Sequence, residues 1–413
     1  MILGGLSKYL IRRDEMLGIS KMASAVQPSA TLAAGAKARL LRTQGIKVFD
    51  FSLGEPDFPT PEHICLAAIA AMKAGQTHYT VAQGTVEIRS AISRWYKKVY
   101  NLDCTPEQII VSNGAKHSIH NALATLVGPG DEVIIPTPYW VSYSDLVIMT
   151  GAKPVLLPAG LESGFKVTAD QIKKAITSKT KLLLLNSPSN PTGAVYTRAE
   201  LEAIADMVLE TNIGVISDEI YERLVFGDAQ ATCFATLRSG LKEKTITISG
   251  VSKTYAMTGW RIGWAIGPDA VVKAMGNIQS QETSNPCSIS QAAAIAALDG
   301  PQECVEEMRK EFETRRDFVC KKLQAISGIK CLVPPGAFYA FFDVSYYFGK
   351  TFAGKKVTDS ASFCLIALEQ AHVNLVQGSA FGAEGFARLS YATSKEILEA
   401  GLDKLQAWLK TAV

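Results

Sequence analysis

Apolar residues in this chain fall into short unbroken runs separated by polar and amphipathic stretches. Residues 109–111, 133–135, 154–157, 181–185, 214–217 and 245–248 form such runs, and 262–266 follows closely. Runs this short, bounded by glycine, proline or polar residues, predict strands buried on both faces. Helical spacing fills the intervals: 61–73 with Pro61 at its first position, 85–100, a helix ending near 126, 139–149 and 167–176. Thr197-Arg-Ala-Glu200 has the spacing of a capping box and predicts a helix reaching about 210. Strands alternating with helices in this way predict an α/β fold, a mostly parallel central sheet between helix layers.

Near residue 300 the pattern changes. Residues 301–326 are charged and helical, as in a connector, and 338–343, 374–376 and 386–390 predict strands of a smaller α+β unit closed by a helix over 394–409. An earlier strand, 48–51, ends in the loop Gly54-Glu-Pro-Asp-Phe-Pro59 and has no room in the main sheet. The expected division is therefore an N-terminal extension, 1–20; an N-terminal part of the small domain, 21–59; a large domain, 60–300; and the connector helix with the C-terminal small domain, 301–413.

Composition narrows the classes. With 47% hydrophobic and 20% charged residues over 413 positions, the chain reads as a soluble globular protein with ample core. A net charge of +3 gives no argument for nucleic acid or an anionic membrane. The longest uncharged run, 283–298, carries Ser, Asn and Gln and is no membrane span. Eight scattered cysteines without a C-x-x-C pair fit a reducing compartment, with neither a disulfide framework nor a zinc site, so no metal is expected. Residues 1–20 mix Arg12 and Arg13 with Asp14 and Glu15, unlike a signal or transit peptide, which makes the cytoplasm the expected location.

In parallel sheets, ligands collect beyond the carboxyl ends of the strands. Polar clusters sit at those places: 112–116, 186–193, 218–221 and 249–253. Each also has a plain structural reading as a turn, a cap or a helix start. Lys253, held between apolar segments, would lose its proton readily and act as an amine nucleophile. Arg261 and the Ser252 hydroxyl suit a phosphate, as do the small residues before the helix that follows Ser112. Asp218 can keep a pyridine nitrogen protonated, and Tyr221 would face the same ring if the chain turns helically. Asn190, set by Pro191, would donate its amide to a ligand oxygen. Arg388 lies in an apolar strand, where an arginine is usually in a structural ion pair but also suits a carboxylate.

Together, Asn190-Pro, Asp218-x-x-Tyr221, Ser252-Lys253 with Arg261 eight residues on, and Arg388 resemble the class I aminotransferases, pyridoxal-phosphate enzymes of the aspartate aminotransferase fold. Gly54-Glu-Pro-Asp-Phe58, Pro138-Tyr-Trp140, Ser189-Asn-Pro-Thr-Gly193, Ser217-Asp-Glu-Ile-Tyr221 and Met257-Thr-Gly-Trp-Arg261 carry the likeness, which spans roughly residues 22–410. The resemblance implies that Lys253 holds the cofactor covalently and moves the substrate proton. It implies Asp218 on the pyridine nitrogen, Asn190 and Tyr221 on the ring oxygen, and Trp140 stacked on the ring. Gly114, Ala115, Lys116, Ser249, Ser252 and Arg261 would line the phosphate end, joined by Tyr79 from the partner of a homodimer with shared sites. Arg388 would clamp the substrate α-carboxylate, with Gly54, Trp140 and Asn190 nearby.

Substrate choice follows from the same likeness. Residues 279–288 contain no arginine to read a distal carboxylate, whereas Lys116 matches the lysine that does so in the branch common in bacteria and plastids. Prephenate users in that branch often carry Lys-Pro-Ser-x-Thr near the N-terminus; here it is Gln27-Pro-Ser-Ala-Thr31. Gly250 stands where many relatives have a hydroxyl. The expectation is transfer of the amino group between L-aspartate and 2-oxoglutarate, with amino acids and 2-oxo acids as partners. The alternatives are a prephenate or aromatic aminotransferase, or a carbon–sulfur lyase, on the same fold. A regulator that senses the cofactor would need a DNA-binding module that the residues before Lys21 do not supply.

Overall fold

The computed structural model describes residues 18–413. The expected extension, 1–20, lies outside the described residues as far as residue 17. Two helices, α1 (Lys21–Ala25) and α2 (Ala30–Thr43), precede a two-residue strand, β1 (Phe49–Asp50). Then come α3 (Glu62–Lys73) and α4 (Val86–Tyr100), the latter capped by the Thr85 hydroxyl.

The apolar runs become β2 (Ile109–Ser112), β3 (Glu132–Thr137), β4 (Lys153–Pro158), β5 (Thr180–Asn186), β6 (Gly214–Asp218), β7 (Thr245–Gly250) and β8 (Gly263–Ile266). They form one sheet in the order β2-β8-β7-β6-β5-β3-β4. Pairing is parallel except at β8, which runs antiparallel to both its neighbours. The helices between them are α5 (Ala115–Leu126), α6 (Tyr143–Met149), α7 (Ala169–Ala175) and α8 (Arg198–Leu209); α9 (Asp269–Glu282) and α10 (Ser288–Asp299) follow β8.

Successive strand residues point to opposite faces, so β5 sends Leu182 and Leu184 one way and Leu183 and Leu185 the other. The first pair packs with Ile119, Leu123 and Met275 of α5 and α9; the second packs with Ile172, Leu201 and Ile204 of α7 and α8. Burying each such side chain contributes about 1.5–3 kcal/mol, which is why continuous apolar runs settle between two helix layers. Thr197 and Glu200 form the expected capping box at the start of α8.

The long helix α11 (Glu303–Gln324) leads to β9 (Lys330–Cys331), β10 (Tyr339–Asp343), the hairpin β11 (Thr351–Phe352) and β12 (Lys355–Lys356), and α12 (Ser360–Ile366). After β13 (Val373–Asn374), β14 (Val376–Gln377) and β15 (Phe386–Ser390), α13 (Lys395–Leu409) closes the chain. A second, antiparallel sheet has the order β14-β15-β10-β9. β1 pairs in parallel with β13, and the Asn374 amide donates to Asp50 Oδ1 at 2.8 Å and to Ser52 Oγ at 3.1 Å. No helix among the described residues is long and apolar enough to cross a membrane.

Three expectations on local structure change. The strand at 374–376 is split at Leu375, because Asn374 pairs with β1 while Val376 pairs with β15 of the other sheet. The helix placed at 139–149 starts at Tyr143, and the Tyr139 amide before it is bonded to the Phe381 carbonyl at 3.1 Å. Helices α2, α9 and α10 were not anticipated. In α10 the reason is plain: Ala-rich and uncharged between Ser288 and Asp299, it packs its small residues against other helices and has no polar face to mark its period.

Candidate active site

A cavity of about 300 Å³ opens at the carboxyl ends of β5, β6 and β7. It brings together Gly54, Ala115, Lys116, Trp140, Asn190, Asp218, Tyr221, Ser252, Lys253, Arg261 and Arg388, which sequence reasoning drew from seven separate stretches. Gly114, Ser249 and Tyr79 lie outside its lining. Gly114 backs the Arg261 guanidinium. The Ser249 hydroxyl is buried in β7 without a hydrogen-bond partner, and Tyr79 is 90% exposed on the surface.

Lys253 follows the end of β7, and its amine donates to the Gly54 carbonyl at 2.5 Å. Desolvation pushes its pKa down to about 8, Glu55 opposing and Arg261 and Arg388 adding to the shift. An amine poised there is a nucleophile and a proton carrier near neutral pH. Asp218 ends β6 and is 3% exposed. Burial raises its carboxyl to about 6, against hydrogen bonds from the Tyr143 hydroxyl at 2.6 Å and the Ile220 amide at 3.2 Å. A carboxylate so placed gains from a cation or a protonated ring nitrogen.

One end of the cavity suits an anion. Gly114 caps α5 with φ of 85° and offers no side-chain bond, so the first amides of the helix stay free. A Cβ on Gly114 would run into the Arg261 guanidinium, so only glycine leaves that cradle open. Arg261 itself has φ of 55°, a left-handed conformation that costs a non-glycine residue roughly 1–3 kcal/mol. Its guanidinium donates to the carbonyls of Thr258 at 2.8 Å and Asn113 at 3.3 Å.

At the other end, Arg388 is 1% exposed and is in no ion pair among the described residues. Its guanidinium lies between the rings of Tyr339 and Phe381, 4.6 and 5.0 Å from their centroids. It donates to Asn190 Oδ1 at 2.9 Å and to the Ser52 carbonyl at 2.6 Å, while Nε has no partner. A buried cation that lines a cavity and is balanced by no anion suits a carboxylate ligand. Because the Asn190 carbonyl faces Arg388, its amide NH₂ remains to donate. The Tyr221 hydroxyl meets that of Tyr339 at 2.8 Å. Lys116 stands at the rim with its ammonium 4.9 Å from the Trp140 ring centroid.

Several lining residues were missed. Tyr143 and Tyr339 sit within apolar stretches, where an aromatic reads as core, and nothing local marks the hydroxyl as aimed at Asp218 or Tyr221. Ser29, Thr31 and Leu32, at the start of α2, line the cavity too. Of these, only Thr31 had a signal, the Pro-Ser-x-Thr segment; Gln27 lies outside the lining and its backbone N–H donates to Asp145 Oδ1 at 3.4 Å.

Known proteins place this geometry in a family. The family model for "Aminotransferase class I and II" matches residues 46–405. An aspartate/prephenate aminotransferase from Cereibacter sphaeroides is 47% identical over 95% of this chain and 99% of its own length. An aspartate aminotransferase from Bacillus subtilis is 45% identical over 95% of this chain and 99% of its own. Among solved structures, the aspartate aminotransferase of Rhizobium meliloti superposes with a TM-score of 0.93 at 43% identity, covering 96% of this chain and all (100%) of that one. The Thermus thermophilus enzyme with maleate superposes with a TM-score of 0.89 at 39% identity, over 95% and 100% of the two chains. The sheet is thus that of the aspartate aminotransferases it superposes on, and the chain belongs to the class I and II aminotransferase family.

Proposed function

We propose that the chain catalyses reversible, pyridoxal-phosphate-dependent transfer of the amino group between L-aspartate and 2-oxoglutarate, giving oxaloacetate and L-glutamate. The observation that carries this reading is the pairing of two cations, buried Arg388 and exposed Lys116, neither in an ion pair among the described residues, in the cavity that also holds Lys253. Two separated cations match a substrate with two carboxylates. A lysine opposite an alkyl or aromatic side chain would instead be left unpaired. The Thermus thermophilus structure was solved with maleate, a dicarboxylate, which agrees with this reading.

Pyridoxal phosphate bound here would supply an aldehyde to take up the amino group and a protonated ring to accept electrons. In the proposal, the free amides of α5, Arg261 and Ser252 hold its phosphate, with Gly114 giving room. Asp218, oriented by Tyr143, holds a proton on the ring nitrogen. Asn190 and Tyr221 donate to the ring oxygen, and Trp140 covers one face. Lys253 binds the cofactor through its amine, and then carries the proton of the substrate α-carbon on Nζ. Arg388 fixes the α-carboxylate, near Gly54. These residues are preorganised by bonds to one another, which is what positioning catalysis requires.

Tyr79 is assigned to the partner's site in a homodimer. Support comes from its exposure on a loop held by Gln291, which accepts from the Thr85 amide at 2.8 Å and donates to Thr80 Oγ1 at 3.1 Å. A cytoplasmic location, and a small domain built from 21–59 and 301–413, complete the proposal; the pairing of β1 with β13 supports the latter. The Cereibacter relative's name keeps prephenate as a second reading. The test mixes the cofactor-loaded enzyme with aspartate, glutamate or phenylalanine in single turnovers, then mixes the amine-loaded form so produced with 2-oxoglutarate or prephenate. Loss of the cofactor's visible band with the two dicarboxylic amino acids alone, and its return with 2-oxoglutarate alone, are expected. Equal return with prephenate would mean that Thr31 and Lys116 suffice for it.

A further inference from the structure

His117 belongs to none of the roles above, yet it stands directly behind the anion-binding end of the cavity. It lies in the first turn of α5, and the Asn113 amide donates to its Nδ1 at 3.3 Å. A backbone N–H can only donate, so Nδ1 must present its lone pair and the ring proton must sit on Nε2. That nitrogen faces Glu282 Oε2 of α9 at 3.5 Å, while Glu282 Oε1 takes His120 Nε2 at 3.1 Å. Burial holds the His117 pKa below its ordinary value, with Glu282 opposing.

Asn113 is held on its other side as well, since its carbonyl accepts from Arg261 at 3.3 Å. The next residue is Gly114, the uncapped start of α5. Most helices are fixed at this point by a Ser, Thr or Asp side chain that consumes one of the free amides. Here the turn is secured from behind by an imidazole, and the amides of Ala115 and Lys116 stay available to an anion.

We propose that His117 is a positioning residue for phosphate recognition: through its Nδ1 lone pair it holds the Asn113–Gly114 turn so that the α5 amides and Arg261 converge on one phosphate group. This rests on the proposed cofactor site and adds a residue that does not touch the cofactor. Losing one such bond loosens the anion cradle, and leaves the ring-binding and amine-binding groups across the cavity as they were.

The test compares binding of pyridoxal phosphate and of pyridoxal, which lacks the phosphate, to the chain stripped of cofactor. Wild type must prefer the phosphate-bearing aldehyde; without that preference the phosphate site itself is wrong, and this inference falls with it. Given the preference, His117→Phe should weaken pyridoxal phosphate about tenfold and leave pyridoxal unchanged, the loss expected for one hydrogen bond in a charged site. His117→Asn, which keeps an acceptor near the Nδ1 position, should stay within about threefold of wild type. His117→Leu replaces the Phe variant if that chain does not fold. Equal weakening of both aldehydes would mark His117 as merely structural and overturn the proposal, as would unchanged phosphate affinity in the folded Phe or Leu variant. A folded His117→Asn chain as weak as the apolar variants would overturn it too.

Discussion

Arg388 and Lys116 are both cations lining one cavity, but they are held in opposite ways. Arg388 is 1% exposed, clasped between two rings and bonded to an amide and a carbonyl. Lys116 is exposed and touches little besides the Trp140 face. Partial burial and the nearby Arg261 pull the Lys116 pKa down, yet water still reaches the side chain, so its charge is less committed to fixed partners than that of Arg388. Nothing compensates the arginine except the groups around it and whatever it binds, so its geometry is fixed by packing. The floor of the cavity is therefore rigid, and in the proposed reading it holds the feature shared by all α-amino acids, while the rim reads what differs among them.

The strongest test of the floor is Lys253→Ala, expected to lower turnover about 10⁴-fold or more while circular dichroism stays that of wild type. Near-normal turnover would remove Lys253 from the mechanism. Next comes Asp218→Asn, for which kcat should fall about 10²–10³-fold, because the amide cannot stabilise a protonated ring. Arg388→Lys sets floor against rim directly: steady-state kcat/KM for aspartate and phenylalanine should drop alike, by about 100-fold, since one ammonium cannot replace the fork. Lys116→Met should lower kcat/KM for aspartate about tenfold and leave phenylalanine within about threefold. Equal losses on both amino acids would erase the proposed distinction.

The smallest effect is on stability, and its sign follows from burial. Lys253 has its pKa depressed to about 8 from 10.5, so the unfolded chain binds more protons between those values. The cofactor-free protein is thus penalised by this lysine below about pH 8, and regains stability as pH rises toward 10.5. Lys253→Met should melt a few degrees above wild type at pH 7, with the gap closing by pH 10. Lys116→Met should change the melting temperature by no more than about 0.5 kcal/mol of stability allows. A Lys253→Met chain that melts below wild type at pH 7 would mean that the floor does not strain its lysine.

Much of the floor was legible because its residues stand where apolar strands end. A run such as 181–185 or 214–217 has one stable destination, a sheet covered on both faces, and the polar residue after it must emerge at the strand end. Asn190, Asp218, Ser252 and Lys253 were found that way, without knowledge of their neighbours. Tyr143 and Tyr339 escaped because a tyrosine in an apolar stretch looks the same whether its hydroxyl meets a carboxylate or water. The alanine-rich α10 escaped because small residues that pack on every side leave no period.

Local order, then, is what the chain's own pattern determined: strands from continuous apolar runs, helix starts from caps, and the amine, carboxylate and guanidinium beyond the strand ends. Tertiary structure alone decided distances and partners. It set Asn374 against β1, so that Ser52 could hold Arg388, and stood Tyr143 over Asp218. It set Glu282 of α9 against His117 and left the Ser249 hydroxyl buried without a partner. The physical reason is range. Periodicity and capping act over a few residues and are written in neighbours, whereas desolvation and hydrogen bonding at the site draw on residues far apart in the chain, such as Tyr143 with Asp218 and Ser52 with Arg388, which only the packed chain brings together.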